Sequence, residues 1–195
     1  MGPEELRFLL SAAGQAALAE LAAAPVSEDT HMATAARLRE ELGPERARAA
    51  LDTALLRQRA ARKFSRAAAM VFTRDGLEQA TAEPIAAHRA TRFAAAGVAT
   101  VADLGCGIGG DALALAGAGA AVLAIDRDRL RLLMAAANAA AYGVAGRLAL
   151  AQADLLTLPP ARVEAFFFDP ARRAGGGRAK RPAGGCAPWP ITSRR

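Results

Sequence analysis

Apolar residues recur at three- and four-residue steps through the start of the chain: Leu6, Leu9, Leu10, Ala13, Ala17 and Leu21. That period predicts one amphipathic helix over residues 3–23. Pro3, Glu4 and Glu5 suit its first turn. Ala24-Pro25-Val26-Ser27 breaks it. Asp29 or Thr30 then caps a second helix over roughly His31–Leu42, with Met32, Ala35, Ala36 and Leu38 as a weak apolar face. Gly43-Pro44 stops that helix and starts a third, over 44–70, with Leu51, Leu55 and Leu56 inside and arginines outside. Residues 71–97 are less regular. Asp75-Gly76 signals a turn, and Thr81 and Pro84 open a helix that runs through Ile85, His88 and Phe93 to Gly97.

Beyond Gly97 short continuous apolar runs alternate with helical patterns. Strands are predicted at 98–104, 121–126, 146–151 and 163–168. Helices are predicted at 110–118 and 128–141. Such alternation predicts an α/β fold: a parallel sheet of about four strands, covered on both faces and preceded by the helical region. From Ala171 the hydrophobic period stops, and Gly, Pro and Arg dominate. That composition predicts no ordered core. The expected divisions are a helical region at 1–70, a core at 71–173 and a tail at 174–195.

Composition sharpens this outline. Apolar residues make up 53% of the 195, but aromatics only 5%, so the core is built from small aliphatics. The net charge of +6 belongs to the tail. Residues 171–195 hold seven basic groups and no acid, and subtracting them leaves the rest at −1. The charge balance alone therefore does not argue for a polyanion partner. Two cysteines, Cys106 and Cys186, make neither a disulfide framework nor a zinc site. His31 and His88 lie on separate predicted helices without partner ligands, so no metal site is expected, and His88 reads as a packed or hydrogen-bonded helix residue. The first residues lack a basic signal region, and no apolar stretch is long enough for a bilayer. A cytoplasmic, soluble chain is the expectation.

The candidate chemistry sits on the stretch that joins the first two strands. Asp103-Leu104-Gly105-Cys106-Gly107-Ile108-Gly109-Gly110 fits two templates. As Gly105-x-Gly107-x-x-Gly110 it is a dinucleotide fingerprint, which would make the chain an NAD(P)-binding oxidoreductase. As Asp103-x-Gly105-x-Gly107-x-Gly109 it is a loop for S-adenosylmethionine. Asp103 separates the two: a carboxylate there repels a pyrophosphate but engages the donor's ammonium. Asp126, closing the second strand, can bind ribose hydroxyls or cap the next helix. Asp154, past the third strand, is placed for an adenine edge or for plain surface. Asp169-Pro170 ends the Phe166-Phe167-Phe168 strand, where ligands bind in open α/β sheets; a strand-terminating turn is its bland alternative. Asn138 reads as structural. The basic run Arg57, Arg59, Arg62, Lys63 and Arg66 is ordinarily a solvated face, with an RNA-facing surface as the alternative.

Together DLGCGIGGDALALA, AVLAIDRD, NAAAYGV, ADLLTL and FFFDPAR resemble the successive motifs of class I S-adenosylmethionine-dependent methyltransferases. The best match is the bacterial branch with a THUMP-like C-terminal domain, similar in its core to the trimethylguanosine synthases. The segment from Phe72 to Thr81, with Glu83 and His88, resembles the lead-in that helps close the cofactor pocket in those synthases. The resemblance covers roughly residues 60–173. It implies a Rossmann-like sheet, S-adenosylmethionine as cofactor and an RNA or other nucleic-acid acceptor. It implies that Asp103, Gly105, Gly107 and Gly109 hold the donor's methionine part, Asp126 the ribose and Asp154 the adenine. Asp169 and Pro170 would face the acceptor. Two departures stand out. Ala171 and Arg172 occupy the places where amino-directed relatives carry a proline and an aromatic. The sequence after Arg173 does not resemble the later strands, which points to a truncated or frameshifted end and keeps a non-catalytic remnant in view.

Overall fold

The computed structural model describes residues 1–24, 28–157 and 162–169. The first predicted helix is two: α1 (Pro3–Leu10) and α2 (Ala12–Ala23), bent by 75° at Ser11. The Ser11 hydroxyl donates to the Phe8 carbonyl at 2.6 Å and accepts from the Gly14 amide at 3.2 Å, ending one helix and capping the next. The bend presses the end of α1 onto α2 so closely that a Cβ on Gly14 would lie 2.0 Å from the Phe8 carbonyl oxygen. Periodicity alone missed this break because both helices keep their apolar faces inward. After α3 (Glu28–Leu42), α4 spans Pro44–Ala60. It stops ten residues before its predicted end, where the Ala60 carbonyl accepts from the Lys63 and Phe64 amides. The chain then turns inward to bury Phe64, Met70, Val71 and Phe72.

Asp75-Gly76 does not form a free turn. It lies in the first turn of α5 (Arg74–Gln79), capped by the Thr73 hydroxyl. Nor does Thr81 cap the next helix: α6 (Glu83–Ala95) follows Ala82, with no side-chain cap. Glu83 accepts instead from the Ser65 amide and hydroxyl and from the Tyr142 hydroxyl, which ties α6 to the turn after α4. Although burial opposes it, these bonds hold the Glu83 carboxyl below its usual range.

The core runs β1 (Thr100–Leu104), α7 (Gly110–Gly117), β2 (Ala121–Asp126), α8 (Arg129–Tyr142), β3 (Leu148–Gln152) and β4 (Ala165–Phe168). All four strands are parallel, in the order β3-β2-β1-β4. The α/β, Rossmann-like expectation is met. The two sheet faces are covered unequally among the described residues. Val101, Val122, Ala124 and Phe167 share one face and pack with Ala90 of α6, Ala112 and Leu115 of α7, and Leu132 of α8. On the other face Phe166 and Phe168 are 53% and 56% exposed. The apolar runs predicted two covered faces; the second is buried at Ala102 and Ile125 and open along β4.

A second cluster joins the helical region to this core. Leu6 of α1 and Leu56 of α4 pack with Phe64, Phe72, Ile108 of the glycine loop and Met134 of α8. Asn138, fully buried on α8, pins the junction. It accepts from the Val71 amide and donates to the Val71 and Ile108 carbonyls, at 2.8, 3.2 and 3.0 Å. Its expected structural part is what the geometry gives. Among the described residues no single helix is long and apolar enough to cross a membrane.

Candidate cofactor site

Strand order reverses direction between β1 and its two neighbours, β2 and β4, and the crevice beyond the carboxyl ends of such strands is where open α/β sheets bind ligands. A cavity of about 840 Å³ opens there. Asp103, Gly105, Gly107 and Asp169 line it, so four of the anticipated residues meet in one place. Ile108 of the loop, Asp111 of α7, Arg131 of α8 and Phe167 of β4 join them, and the opposite wall comes from α4 and the segment 62–81.

The glycine loop owes its shape to left-handed backbone. Gly105, Gly107 and Gly109 have φ of +82°, +58° and +94°, conformations that side-chain-bearing residues rarely adopt. Gly109 lies behind the cavity as the residue before α7, where a Cβ would sit 3.3 Å from that of Ala135. The loop amides are already engaged. Those of Gly105 and Cys106 donate to the Ile125 carbonyl at 2.8 and 2.9 Å, and that of Gly107 donates to an Asp126 carboxylate oxygen at 2.9 Å. A loop that binds a pyrophosphate needs such amides turned toward the ligand; here three of them turn back to β2.

Asp103 is only 3% exposed, and its Oδ2 has no hydrogen-bond partner among the described residues. Burial pushes its carboxyl up to about 7; Asp111, Asp126 and Asp169 add to this, against the Ala112 amide that donates to it. A buried acceptor with spare capacity, among three further acids, is matched by a cation. Burial, with Asp103 and Asp126 adding, likewise raises the neighbouring Cys106 thiol far above its usual range, so it stays a neutral packing group.

Asp126 is 5% exposed and braces the loop: its second oxygen accepts from the Asp128 amide at 2.9 Å. Asp128, not Asp126, caps α8, accepting from the Leu130 amide at 2.8 Å. Asp154 lies in an exposed turn past β3, accepting from the Leu156 amide at 2.9 Å. Pro170 lies outside the described residues, as do the side chain of His31 and the tail from Ala171 on. His88 is exposed rather than packed. Among the described residues no group of three or more His, Cys, Asp or Glu side chains could hold a metal ion.

Sequence reasoning missed Arg89. From α6 it reaches Asp111 at 3.0 Å and Asp169 at 3.2 Å, with its guanidinium carbon 5.3 Å from the Phe167 ring centre. Burial opposes its charge, but Asp111 and Asp169 raise its basicity further. The only signal in the sequence is an arginine on the helix before β1, one of two there. Lys63 was counted in a basic run, yet its ammonium donates to the Leu77, Glu78 and Ala80 carbonyls at 2.9, 3.2 and 3.1 Å. It thereby fastens the end of α5 over the cavity. The Thr81 backbone in turn rides so close to α7 that a Cβ on Gly110 would lie 3.3 Å from it.

Comparison with known proteins agrees with this geometry. Residues 98–171 match the family described as RNA cap guanine-N2 methyltransferase, and residues 2–60 match a domain of unknown function. The chain is 39% identical over 134 residues to an uncharacterized S-adenosylmethionine-dependent methyltransferase from two strains of Mycobacterium tuberculosis. The alignment covers 66% of this chain and 36% of those relatives, so the chain spans about a third of their length. These similarities support an S-adenosylmethionine-dependent methyltransferase and do not favour a nicotinamide enzyme.

Proposed function

We propose that this chain carries the donor site of an S-adenosylmethionine-dependent methyltransferase whose acceptor is RNA. The observation that carries the donor assignment is the buried, half-unpartnered Asp103 carboxylate on the cavity wall. Three of the loop amides a pyrophosphate would need are already spent on β2. The RNA acceptor is supported by the family matched over residues 98–171. The same match supports kinship with the trimethylguanosine synthases; a place in the bacterial branch carrying a THUMP-like domain is part of the proposal. Division into a helical region at 1–70 and a methyltransferase core at 71–173 is part of this proposal, as is a cytoplasmic setting; the two family matches, ending at 60 and beginning at 98, support the division.

The donor, when bound, supplies a methyl already activated on a sulfonium. Asp103 accepts from the ammonium of its methionine part, and Gly105 and Gly107 keep side chains out of its path. Gly109 sets the turn into α7. Asp126 takes a ribose hydroxyl on the acceptor capacity left after its two backbone bonds, since a carboxylate offers about four sites. Asp154 faces the adenine edge. Asp169 and Pro170 face the acceptor, with the Asp169 carboxylate taking a hydrogen bond from the attacking group. Arg89 holds that carboxylate in place. These residues orient the two reactants and exclude water, and alignment is most of what such a displacement needs.

Calorimetry with S-adenosylhomocysteine tests the proposal. Binding that weakens on Asp103→Asn substitution is expected. Tight NADH binding with no response to S-adenosylhomocysteine would overturn it.

A further inference from the structure

The cavity is polarised. Its floor at the strand ends and the start of α7 carries Asp103, Asp111 and Asp169 with one cation, Arg131 of α8, whereas the wall from α4 through the segment after it brings Arg59, Arg62, Lys63 and Arg74 against a single carboxylate, Glu78. An 840 Å³ space lies within the range of pockets for whole drug-sized ligands, so floor and wall can serve different parts of the bound reactants. The acidic floor is where the donor's cationic end is placed above. The basic wall has no use in that placement.

The basic run of residues 57–66 divides according to what each cation touches. Arg57 is spent on the Met70 carbonyl at 2.8 Å and Lys63 on three carbonyls at the end of α5. Arg66 reaches toward the Ala141 carbonyl. Arg59, Arg62 and Arg74 are exposed, line the cavity, and among the described residues have no ion pair. Arg59 and Arg74 also line a neighbouring cavity of about 250 Å³, between the helical region and the core. Arg59 and Arg74 therefore stand where the two cavities adjoin, with Arg62 beside them on the donor cavity; the smaller cavity also carries Arg48, Glu5 and Asp52. No exposed aromatic accompanies them, because Phe64 and Phe72 are buried. Such a surface contacts phosphates without stacking bases.

We infer that the wall built by Arg59, Arg62 and Arg74 binds the sugar–phosphate backbone of the RNA acceptor. The helical region is thus part of the acceptor site, and Arg59 and Arg62 bring it into contact with the strand. This inference rests on the RNA acceptor proposed above. It does not depend on the donor, so the two can fail separately.

The test uses the full chain and its Arg59→Gln/Arg62→Gln/Arg74→Gln variant. The probe is a fluorescein-labelled single-stranded RNA of about 16 nucleotides, titrated by anisotropy between about 50 and 200 mM salt. Each phosphate contact on a single strand contributes about 0.7 to the slope of log K against log salt. The variant is expected to lose about 2 from that slope and roughly tenfold in affinity at the low-salt end. Its binding of S-adenosylhomocysteine, read by calorimetry, is expected to persist, which shows that the fold and the donor end are intact. A variant with the wild-type slope overturns the inference, as does a wild-type chain that binds S-adenosylhomocysteine but no RNA. A helix-terminal role for Arg59 alone would lower the melting temperature and leave the slope unmoved, which also counts against it. RNA binding with an arginine-dependent slope, but without S-adenosylhomocysteine binding, leaves the wall standing and removes the donor assignment.

Discussion

Asparagine at position 103 keeps the shape of the buried side chain and removes its charge. In the folded chain burial holds this carboxyl at about 7 against an ordinary 3.8. Its folded pKa is raised, so between those values the folded state keeps a proton that the unfolded chain has lost. Stability therefore falls as pH rises from about 4 to about 7, and the full penalty is present above 7. At about 1.4 kcal/mol per unit the cost is on the order of 4 kcal/mol. Asp103→Asn abolishes it. The Ala112 amide keeps an acceptor, and the site carries three negative charges instead of four.

The variant without ligand is expected to melt higher than wild type at pH 8, by roughly 10 °C at about 2–4 °C per kcal/mol for a chain of this size. At pH 5 the gain shrinks, because wild-type Asp103 is then neutral. Binding moves the other way. A hydrogen bond to a charged group is worth about 1.5–3 kcal/mol, so affinity for S-adenosylhomocysteine is expected to fall roughly 10- to 100-fold. In the wild type that affinity strengthens as pH rises through 7, since the ammonium needs the ionised carboxylate. Thermal melts at the two pH values and calorimetry read both effects. An equal gain at pH 5 and pH 8, or unchanged affinity for the ligand, would refute the reasoning.

Asn138→Leu leaves the Val71 amide and the Val71 and Ile108 carbonyls without their buried partner; urea unfolding is expected to show a loss of about 3 kcal/mol or more. Gly14→Ala drives a Cβ into the Phe8 carbonyl; opening the α1–α2 bend is expected to cost upwards of about 3 kcal/mol in the same assay. Arg89→Met leaves the largely buried Asp111 and the exposed Asp169 uncompensated; about 1 kcal/mol of stability or more is expected to go, while methyl transfer to RNA, followed with radiolabelled donor, falls more than donor binding does.

What the sequence made legible follows from how much of each feature is local. The strand ends, the three left-handed glycines and Asp103 sit within one short stretch, where spacing and chemistry speak together. Ser11 is harder, because a serine between two apolar-faced helices caps a break only if the second helix finds something to lean on. Gly14 against Phe8 is that condition, and it is tertiary. The end of α4 is similar: residues 61–70 carry a helical composition, but burying Phe64 and Phe72 in the joint cluster outweighs continuing the helix. Asp126 shows the limit at the site itself. Its position is readable from the end of β2, yet each of its oxygens already accepts one amide, from Gly107 and Asp128, so it acts first as the brace that points the loop. Arg89 lies furthest from sequence logic, 22 residues before Asp111 and 80 before Asp169. It is also what lets two acids stand beside a buried third. Its guanidinium pairs with the acid at the start of α7 and the one at the end of β4, so part of the floor's charge is balanced before any cation binds.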